Sequence, residues 1–319
     1  MLNTNGHHTE KAEPIRVKVI ILGGGPAGFS AALYAARAEL QPLVLTGLQI
    51  GGQAALTHAI ENYPGFPEGV GGAELMELFQ KQAERFGAQI EFDSAQSVDF
   101  SSRPFKVMTE SRVYSADSII IATGASPNQL NIPGENELTG QGVSYCGTCD
   151  GWFFKGKKVA VVGGGDSAIE EGLFLTRFAT SVTIIHRRAN LRAGVILQKR
   201  AAENPKVKFI WNTTITEIVG SEKVEAIKLK NVQNGEQSTF ETDGLFIFIG
   251  HTPNTQVFNG KLNMEKGYIK VDENSHTSVP GVFAAGEAAD PHFRQVITSA
   301  GMGAMAAIEA THFLEGATK

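Results

Sequence analysis

Short runs of β-branched and aliphatic residues, each ending in a cluster of glycines, recur along the chain. Val17 to Leu22 runs into Gly23-Gly24-Gly25-Pro26-Ala27-Gly28, and Val159 to Val162 runs into Gly163-Gly164-Gly165-Asp166-Ser167-Ala168. Unbroken apolar runs of this length, bounded by glycine, read as strands covered on both faces. Helix formers follow each cluster, over Ala27 to Arg37 and over Ser167 to Phe178. A second strand follows each helix, Pro42 to Thr46 and Ser181 to His186. Further helices are predicted over Gly71 to Phe86 and Leu191 to Glu203, with a last one, rich in Ala and Gly, over Val296 to Leu314. Alternating patterns predict shorter strands at Gln89 to Phe100, Phe105 to Thr109 and Arg112 to Ala116. A similar series runs through Val207 to Trp211, Thr214 to Val219, Val224 to Lys230 and Ser238 to Thr242.

These elements form two versions of one plan. Ile119-Ile120-Ile121-Ala122-Thr123-Gly124 closes the first, and Leu245-Phe246-Ile247-Phe248-Ile249-Gly250 closes the second. The glycine clusters are 140 residues apart and the closing segments 126. A period this long indicates two duplicated nucleotide domains and not a solenoid. The predicted class is α/β: two Rossmann-like dinucleotide-binding domains, the second inserted in the first. Residues 1–14 read as a flexible tail, 15–125 and 250–319 as the two parts of the outer domain, and 126–249 as the inserted one.

Length and composition agree with this. A chain of 319 residues, 42% hydrophobic, suits two full-sized cores. A net charge of −5 gives no electrostatic footprint for a nucleic-acid backbone. No apolar run approaches the roughly 18 residues that a bilayer span requires. Met1 to Pro14 is polar and lacks the apolar region of a signal peptide. Two cysteines in so long a chain form no structural disulfide framework, so a cytoplasmic location is expected.

Each glycine cluster sits between a predicted strand and a predicted helix, the context in which such a cluster carries meaning. Glycines permit the tight turn and close backbone approach, and the helix N-terminus offers N–H groups to a pyrophosphate. The residue about 20 positions further on distinguishes the cofactors. In the second domain that strand ends in His186-Arg187-Arg188, with Arg192 shortly after. Guanidinium groups match a 2′-phosphate, so NADPH is expected there. In the first domain the strand ends at Thr46-Gly47 with no acid. Gly51-Gly52-Gln53 and Glu61-Asn62-Tyr63-Pro64-Gly65 follow, positions suited to lining a flat, uncharged ring system.

The only two cysteines stand three apart, Cys146-Gly147-Thr148-Cys149, with Asp150 next. A zinc half-site would need two further ligands. There is no second Cys pair, and His58, His186, His251, His276, His292 and His312 lack the spacing of a zinc site, so no metal is expected. Two buried core cysteines would need no acid beside them. A redox-active pair would, since Asp150 can hand a proton to a leaving thiolate. Trp152, Phe153 and Phe154 follow directly.

With these motifs in this order, from about Arg16 to Gly316, the chain resembles the bacterial-type low-molecular-weight thioredoxin reductases. Ala122-Thr123-Gly124-Ala125, Gly250-x-x-Pro253-Asn254 and Arg294-Gln295-Val296-Ile297-Thr298 add to the match, as does the position of the cysteine pair inside the second domain. The resemblance implies FAD in the first domain, held by Gly23, Gly25, Pro26, Ala27, Gly28, Thr46, Gly52, Gln53, Asn62, Ala122, Thr123, Gly124, Gly286, Glu287, Arg294, Gln295 and Val296. It implies NADPH in the second, held by Gly163, Gly165, Asp166, Ser167, Ala168, Glu170, His186, Arg187, Arg188 and Arg192. It further implies that Cys149 faces the flavin, that Cys146 exchanges with the disulfide of thioredoxin, and that Asp150 carries the proton. A homodimer, and docking of thioredoxin aided by Trp152 and Phe153, are implied too. So is a swing of the second domain about the two crossings.

Three positions depart from the family pattern. Gly286-Glu287 stands where Gly-Asp is usual, which bears on flavin binding. Gln141 stands where enterobacterial members carry a basic residue, and Trp152 where Phe is common, both on the expected docking surface. The competing functions are a flavin dithiol oxidase or ferredoxin-linked reductase of the same fold, and a non-catalytic FAD/NADPH redox sensor. The basic His186-Arg187-Arg188 motif argues against the first pair, and the intact cysteine pair with Asp150 against the sensor.

Overall fold

The computed structural model describes residues 13–47, 49–57 and 59–316. The tail expected over 1–14 therefore lies outside the described residues, apart from Glu13 and Pro14. The elements in chain order open with β1 (Ile15–Leu22), α1 (Pro26–Arg37), β2 (Leu43–Leu45), α2 (Gly72–Arg85) and β3 (Gln89–Glu91). Then come β4 (Ser97–Asp99), β5 (Phe105–Met108), β6 (Val113–Ile121) and β7 (Ala125–Pro127). The inserted part comprises β8 (Val143–Ser144), α3 (Gly147–Asp150), β9 (Lys158–Gly163), α4 (Asp166–Leu175), β10 (Ser181–Ile185) and α5 (Val195–Glu203). It continues with β11 (Val207–Ile210), β12 (Thr213–Val219), β13 (Ala226–Asn231), β14 (Gln237–Glu241), β15 (Gly244–Phe248) and β16 (His251–Pro253). The chain ends with β17 (Met264–Glu265), β18 (Tyr268–Ile269), β19 (Val282–Ala284) and α6 (Val296–Leu314).

The chain divides into two compact units. The first holds Met1–Ala59, Val70–Ala125 and Pro253–Lys319, and the second Ile60–Gly69 and Ser126–Thr252. Ile60–Gly69 differs from the sequence reading, which ran the outer domain unbroken from 15 to 125. This stretch is rich in turn formers, Pro64, Gly65, Pro67 and Gly69, and builds no helix or regular strand of its own. The crossings between the units, β7 and β16, pair as a two-stranded ribbon.

The first unit carries a seven-stranded sheet in the order β3-β2-β1-β6-β5-β4, with β19 also on β6. The strands β1, β2, β3, β6 and β19 run parallel. One edge of β6 takes β1 along its length, from Ile15↔Tyr114 to Leu22↔Ile121. The other edge is shared, with β5 pairing Val113 to Ala116 and β19 pairing Ile119 to Ile121. Val19, Ile20, Ile21, Ile119, Ile120 and Ile121 are wholly buried, each side chain removed from water being worth roughly 1.5–3 kcal/mol. Small residues let α1 and α6 approach closely. A side chain at Gly303 would meet the carbonyl of Ala27 at 2.0 Å, and Ala31, Ala35, Ala306 and Ala310 fill the same core.

The second unit has a five-stranded parallel sheet in the order β11-β10-β9-β15-β8. A separate antiparallel sheet, β12-β13-β14, completes it. Aromatics close this core, with Phe154 edge-on to Phe246 at 5.0 Å between centroids. In both units the glycine cluster follows the strand that has parallel partners on each side, so its turn emerges from the middle of a sheet.

Candidate functional site

The first cradle is built from the end of β1. Gly23 has φ +116°, a conformation L side chains rarely adopt, and a Cβ there would lie 2.2 Å from the carbonyl oxygen of Ala122. Gly28 is closed by Gly23 itself, whose carbonyl oxygen lies 1.8 Å from where a Cβ would sit. Gly25 differs: only the Gly51 carbonyl, at 4.0 Å, comes near. Pro26 opens α1 at a position where its missing N–H costs nothing, and the first turn carries no acid and no side-chain cap. The N–H groups of this helix end are thus left for an external anion. The sequence-predicted Ala122, Thr123 and Gly124 follow β6 beside this turn, Ala122 through its carbonyl at Gly23. The Thr123 hydroxyl is buried with no hydrogen-bond partner among the described residues.

Thr46 plays a supporting part. Its one hydroxyl hydrogen is shared between the Gly47 and Glu91 carbonyls, at 3.0 and 3.3 Å. Its side chain lies where a Cβ on Gly24 would fall. Gly52 and Gln53 open a short 3-10 helix, Gly52–Leu56. Asn62 lies in Ile60–Gly69, within the second unit and not the first, where the flavin reading put it.

At the start of α6 the chain makes a built turn. The Asp290 carboxylate accepts from the backbone N–H groups of His292, Phe293 and Arg294, at 2.8, 3.0 and 3.2 Å. Arg294 sits at φ +52°, and Gln295 and Thr298 form a reciprocal capping box. Asp290 was not singled out from sequence, although Asp290-Pro291 is a turn signal. Glu287, after Gly286, is largely buried. Desolvation pushes its carboxyl up to about 7, opposed by Arg294 and reinforced by Asp290.

The second cradle repeats the first with one difference. A Cβ on Gly163 would fall 2.5 Å from the Phe248 carbonyl oxygen, and the third small residue of the motif is Ala168. At Gly165, again the middle position, an added Cβ would meet no described atom within 4 Å beyond its chain neighbours. In each cradle the middle glycine therefore has open space beside it, where the outer glycines are closed by backbone. Asp166, in the first turn of α4, turns its carboxylate onto the Gly194 N–H at 2.7 Å. The Gly164 carbonyl accepts from the N–H groups of Arg192 and Ala193, at 2.7 and 3.1 Å. The arginine loop is thus pinned to the glycine turn at both places. Ser167 and Glu170 are exposed on α4.

Arg187, Arg188 and Arg192 are exposed, and no carboxylate pairs with them among the described residues. His186 is a different case. It is buried under the loop, its ring 2.3 Å from where a Gly164 side chain would start. Burial, then the nearby arginine charges, lower its pKa, so it is neutral near pH 7. It supports the turn, and the three guanidinium groups supply the charge.

The dithiol lies at the start of α3. Cys146 and Cys149 form a disulfide, and the Cys149 N–H points at the Cys146 sulfur, 3.2 Å away. The Thr148 hydroxyl lies 3.4 Å from the same sulfur. Ser144, buried on β8, donates to Asp150 Oδ2 at 2.6 Å and accepts from the Cys146 N–H at 3.1 Å. A serine two residues before a cysteine carries no signal in sequence, and Ser144 was not expected. The Tyr145 hydroxyl donates to Glu135 at 2.9 Å. That buried carboxylate also takes the N–H groups of Leu130 and Asn131, at 2.9 and 2.6 Å. Trp152 and Phe153 are 51% and 38% exposed, with Lys155 over the Trp152 ring.

The family model for pyridine nucleotide-disulphide oxidoreductases matches residues 17–303. The thioredoxin reductase of Streptomyces coelicolor is 48% identical over 301 residues, covering 93% of each chain. That of Escherichia coli O157:H7 is 46% identical over 309 residues, covering 94% of this chain and 96% of its own. Among solved structures, the thioredoxin reductase of Streptococcus pyogenes superposes with a TM-score of 0.90 at 40% identity, over 94% of this chain and 99% of the other. With two dinucleotide cradles and a Cys-x-x-Cys disulfide between them in sequence, the chain belongs to the pyridine nucleotide-disulphide oxidoreductases, as a low-molecular-weight thioredoxin reductase.

Proposed function

We propose that this thioredoxin-disulfide reductase uses FAD in the first unit and NADPH, in preference to NADH, in the second. The observation that carries the nucleotide choice is a set of three exposed arginines with no carboxylate partner among the described residues, on a segment whose Arg192 N–H bonds the Gly164 carbonyl next to the open Gly165. The matching opening at Gly25 and the uncapped start of α1 support a second dinucleotide in the first unit. When bound, FAD and NADPH supply the two reducing equivalents that open the disulfide.

The chain's own groups then carry the exchange. Cys146 is the thiol that meets the carrier. Its sulfur, once released as thiolate, accepts the Cys149 N–H and has the Thr148 hydroxyl beside it, both of which favour the charged form. The Cys146 thiolate attacks one sulfur of the carrier disulfide, forming a mixed disulfide and expelling a carrier thiolate. Cys149 attacks the Cys146 sulfur, closing the internal disulfide and releasing the second carrier thiolate. Asp150 exchanges protons with the thiols so that each leaving sulfur is neutralised. The exposed Trp152 and Phe153 support an apolar docking face for thioredoxin. Tyr34 on α1 and Met305 and Ile308 on α6, all partly exposed and apolar, support the homodimer. No described helix is long and apolar enough to cross a membrane.

Steady-state reduction of purified thioredoxin tests the proposal. NADPH is expected to give a kcat/KM at least about a hundredfold above that with NADH, the order of two charge-assisted phosphate contacts. Equal use of the two nucleotides would overturn the reading of the arginines.

Glu287 gives a pH prediction. Its folded value, about 7, lies above the ordinary 4.5. Below pH 4.5 the carboxyl is protonated in both states and adds no pH dependence. Between 4.5 and 7 the folded state holds the proton that the unfolded state has lost, so stability falls as pH rises, and the loss is complete above 7. Flavin-free Glu287→Gln protein should therefore be more stable than the parent at pH 8, by an amount on the order of 3 kcal/mol. The gain should shrink towards nothing at pH 4.5, as read by urea unfolding.

A further inference from the structure

Ser144 sits where the edge of the second unit's sheet meets the dithiol. Its partner across the ladder is Phe246 on β15, so the sheet fixes its backbone. The residue is 5% exposed, and its side chain makes three contacts of different kinds. The hydroxyl lies 2.6 Å from Asp150 Oδ2 and 3.2 Å from the Cys146 carbonyl oxygen, and it accepts the Cys146 N–H at 3.1 Å. A serine hydroxyl has one hydrogen. It can therefore donate to the Asp150 carboxylate or to the Cys146 carbonyl, not fully to both. When Asp150 is ionised the carboxylate is the stronger acceptor and takes it. When Asp150 is protonated the hydroxyl is free to turn to the carbonyl, and its oxygen keeps the Cys146 N–H throughout.

We propose that Ser144 is a positioning residue for the proton transfer at the dithiol, acting through Asp150. The proposal rests on the reading of Asp150 as the proton carrier. In the step concerned, Asp150 as the acid gives its proton to a leaving cysteine thiolate, yielding a thiol and a carboxylate. The Ser144 hydrogen moves from the Cys146 carbonyl to the new carboxylate. No electrons are transferred in this step. The donated hydrogen bond favours the ionised carboxylate, and the bond to the Cys146 N–H keeps the acid registered against the cysteine segment. Serine here does what a bare carboxylate on a four-residue helix cannot: it ties the acid to the sheet.

The test uses the complete protein with its dithiol reduced by dithiothreitol. After removal of the dithiothreitol, the rate of reaction with 2,2′-dipyridyl disulfide, a thiol probe that stays reactive in acid, is followed from pH 3 to 9, a window that includes the ordinary carboxylate range. The parent should show a step in the profile that Asp150→Asn removes. Ser144→Ala should move that step about one pH unit upward, the size of one lost charge-assisted hydrogen bond. Ser144→Gly should do the same by a second route, and Ser144→Thr, which keeps the hydroxyl, should restore the parent profile. In the Asp150→Asn background Ser144→Ala should change nothing further. The proposal is overturned if Ser144→Ala and Ser144→Gly both overlay the parent, or if the shift persists without the Asp150 carboxylate. A parent-like profile for Asp150→Asn would instead remove the reading of Asp150 itself, and the proposal with it.

Discussion

Cys149→Ser is expected to lower thioredoxin reduction by about a thousandfold or more, because the exchange loses its resolving sulfur. The same variant should become a trap. Cys146 keeps its thiol, and the backbone N–H of residue 149, which points at the Cys146 sulfur, is unchanged by the substitution. Cys146 can therefore still attack oxidised thioredoxin, but nothing within the chain attacks the mixed disulfide that results. A covalent adduct of one reductase and one thioredoxin should accumulate and vanish on adding dithiothreitol, as read on a non-reducing gel. Cys146→Ser should lose turnover to a similar degree and form little adduct. If the two variants trapped thioredoxin equally, the assignment of Cys146 as the carrier-facing thiol would fail. Retained turnover in either would remove the dithiol from the reaction altogether.

The second large effect is expected at the arginines. Each of Arg187→Ala, Arg188→Ala and Arg192→Ala should raise KM for NADPH about tenfold, the lower end of a hydrogen bond to a charged group. Use of NADH should hardly change, since it has no 2′-phosphate to lose. The triple variant should bring the two nucleotides close to parity. As the three groups are exposed, the parent's KM for NADPH should rise with salt, and the triple variant's should not. His186→Ala should behave differently. Its ring is buried against Gly164 and uncharged near neutral pH, so its loss should reduce stability and weaken both nucleotides alike. A nucleotide-selective effect at His186 would contradict its place as packing.

What the sequence disclosed and what it hid follow from the range of the interactions. The glycine turns were legible because strand, turn and helix are contiguous and each constrains the next. The arginine cluster and the dithiol were legible for the same reason. β6 was not. Sequence predicted a break at Ala116, since Asp117 and Ser118 interrupt the apolar run, yet one strand continues from Val113 to Ile121. Ser118 is tolerated there because its hydroxyl donates to the Gly281 carbonyl, a partner 163 residues away. Between Gln89 and Phe100 the error ran the other way. The alternation of apolar and polar residues reads as one strand, but β3 runs parallel to β2 while β4 runs antiparallel to β5, so the chain must turn between them. The helix predicted from Leu191 starts only at Val195, because the N–H groups of Arg192 and Ala193 are committed to the Gly164 carbonyl. Ser144 was invisible for a related reason: its value lies in where β8 delivers it, not in its neighbours along the chain.

The shared edge of β6 bears on how the polypeptide is made. The second unit's chain is finished at Thr252, whereas β19 and α6, which complete the first, begin only at Val282 and Val296. During synthesis the inserted unit can close while its host still lacks a strand and the helix that covers α1. Domains fold as units, and an unfilled strand edge beside a bare apolar helix invites wrong association. The segment that seals the first-made half, from Val282 to Leu314, is thus made after the inserted unit, and a nascent chain released before it would present its stickiest surface.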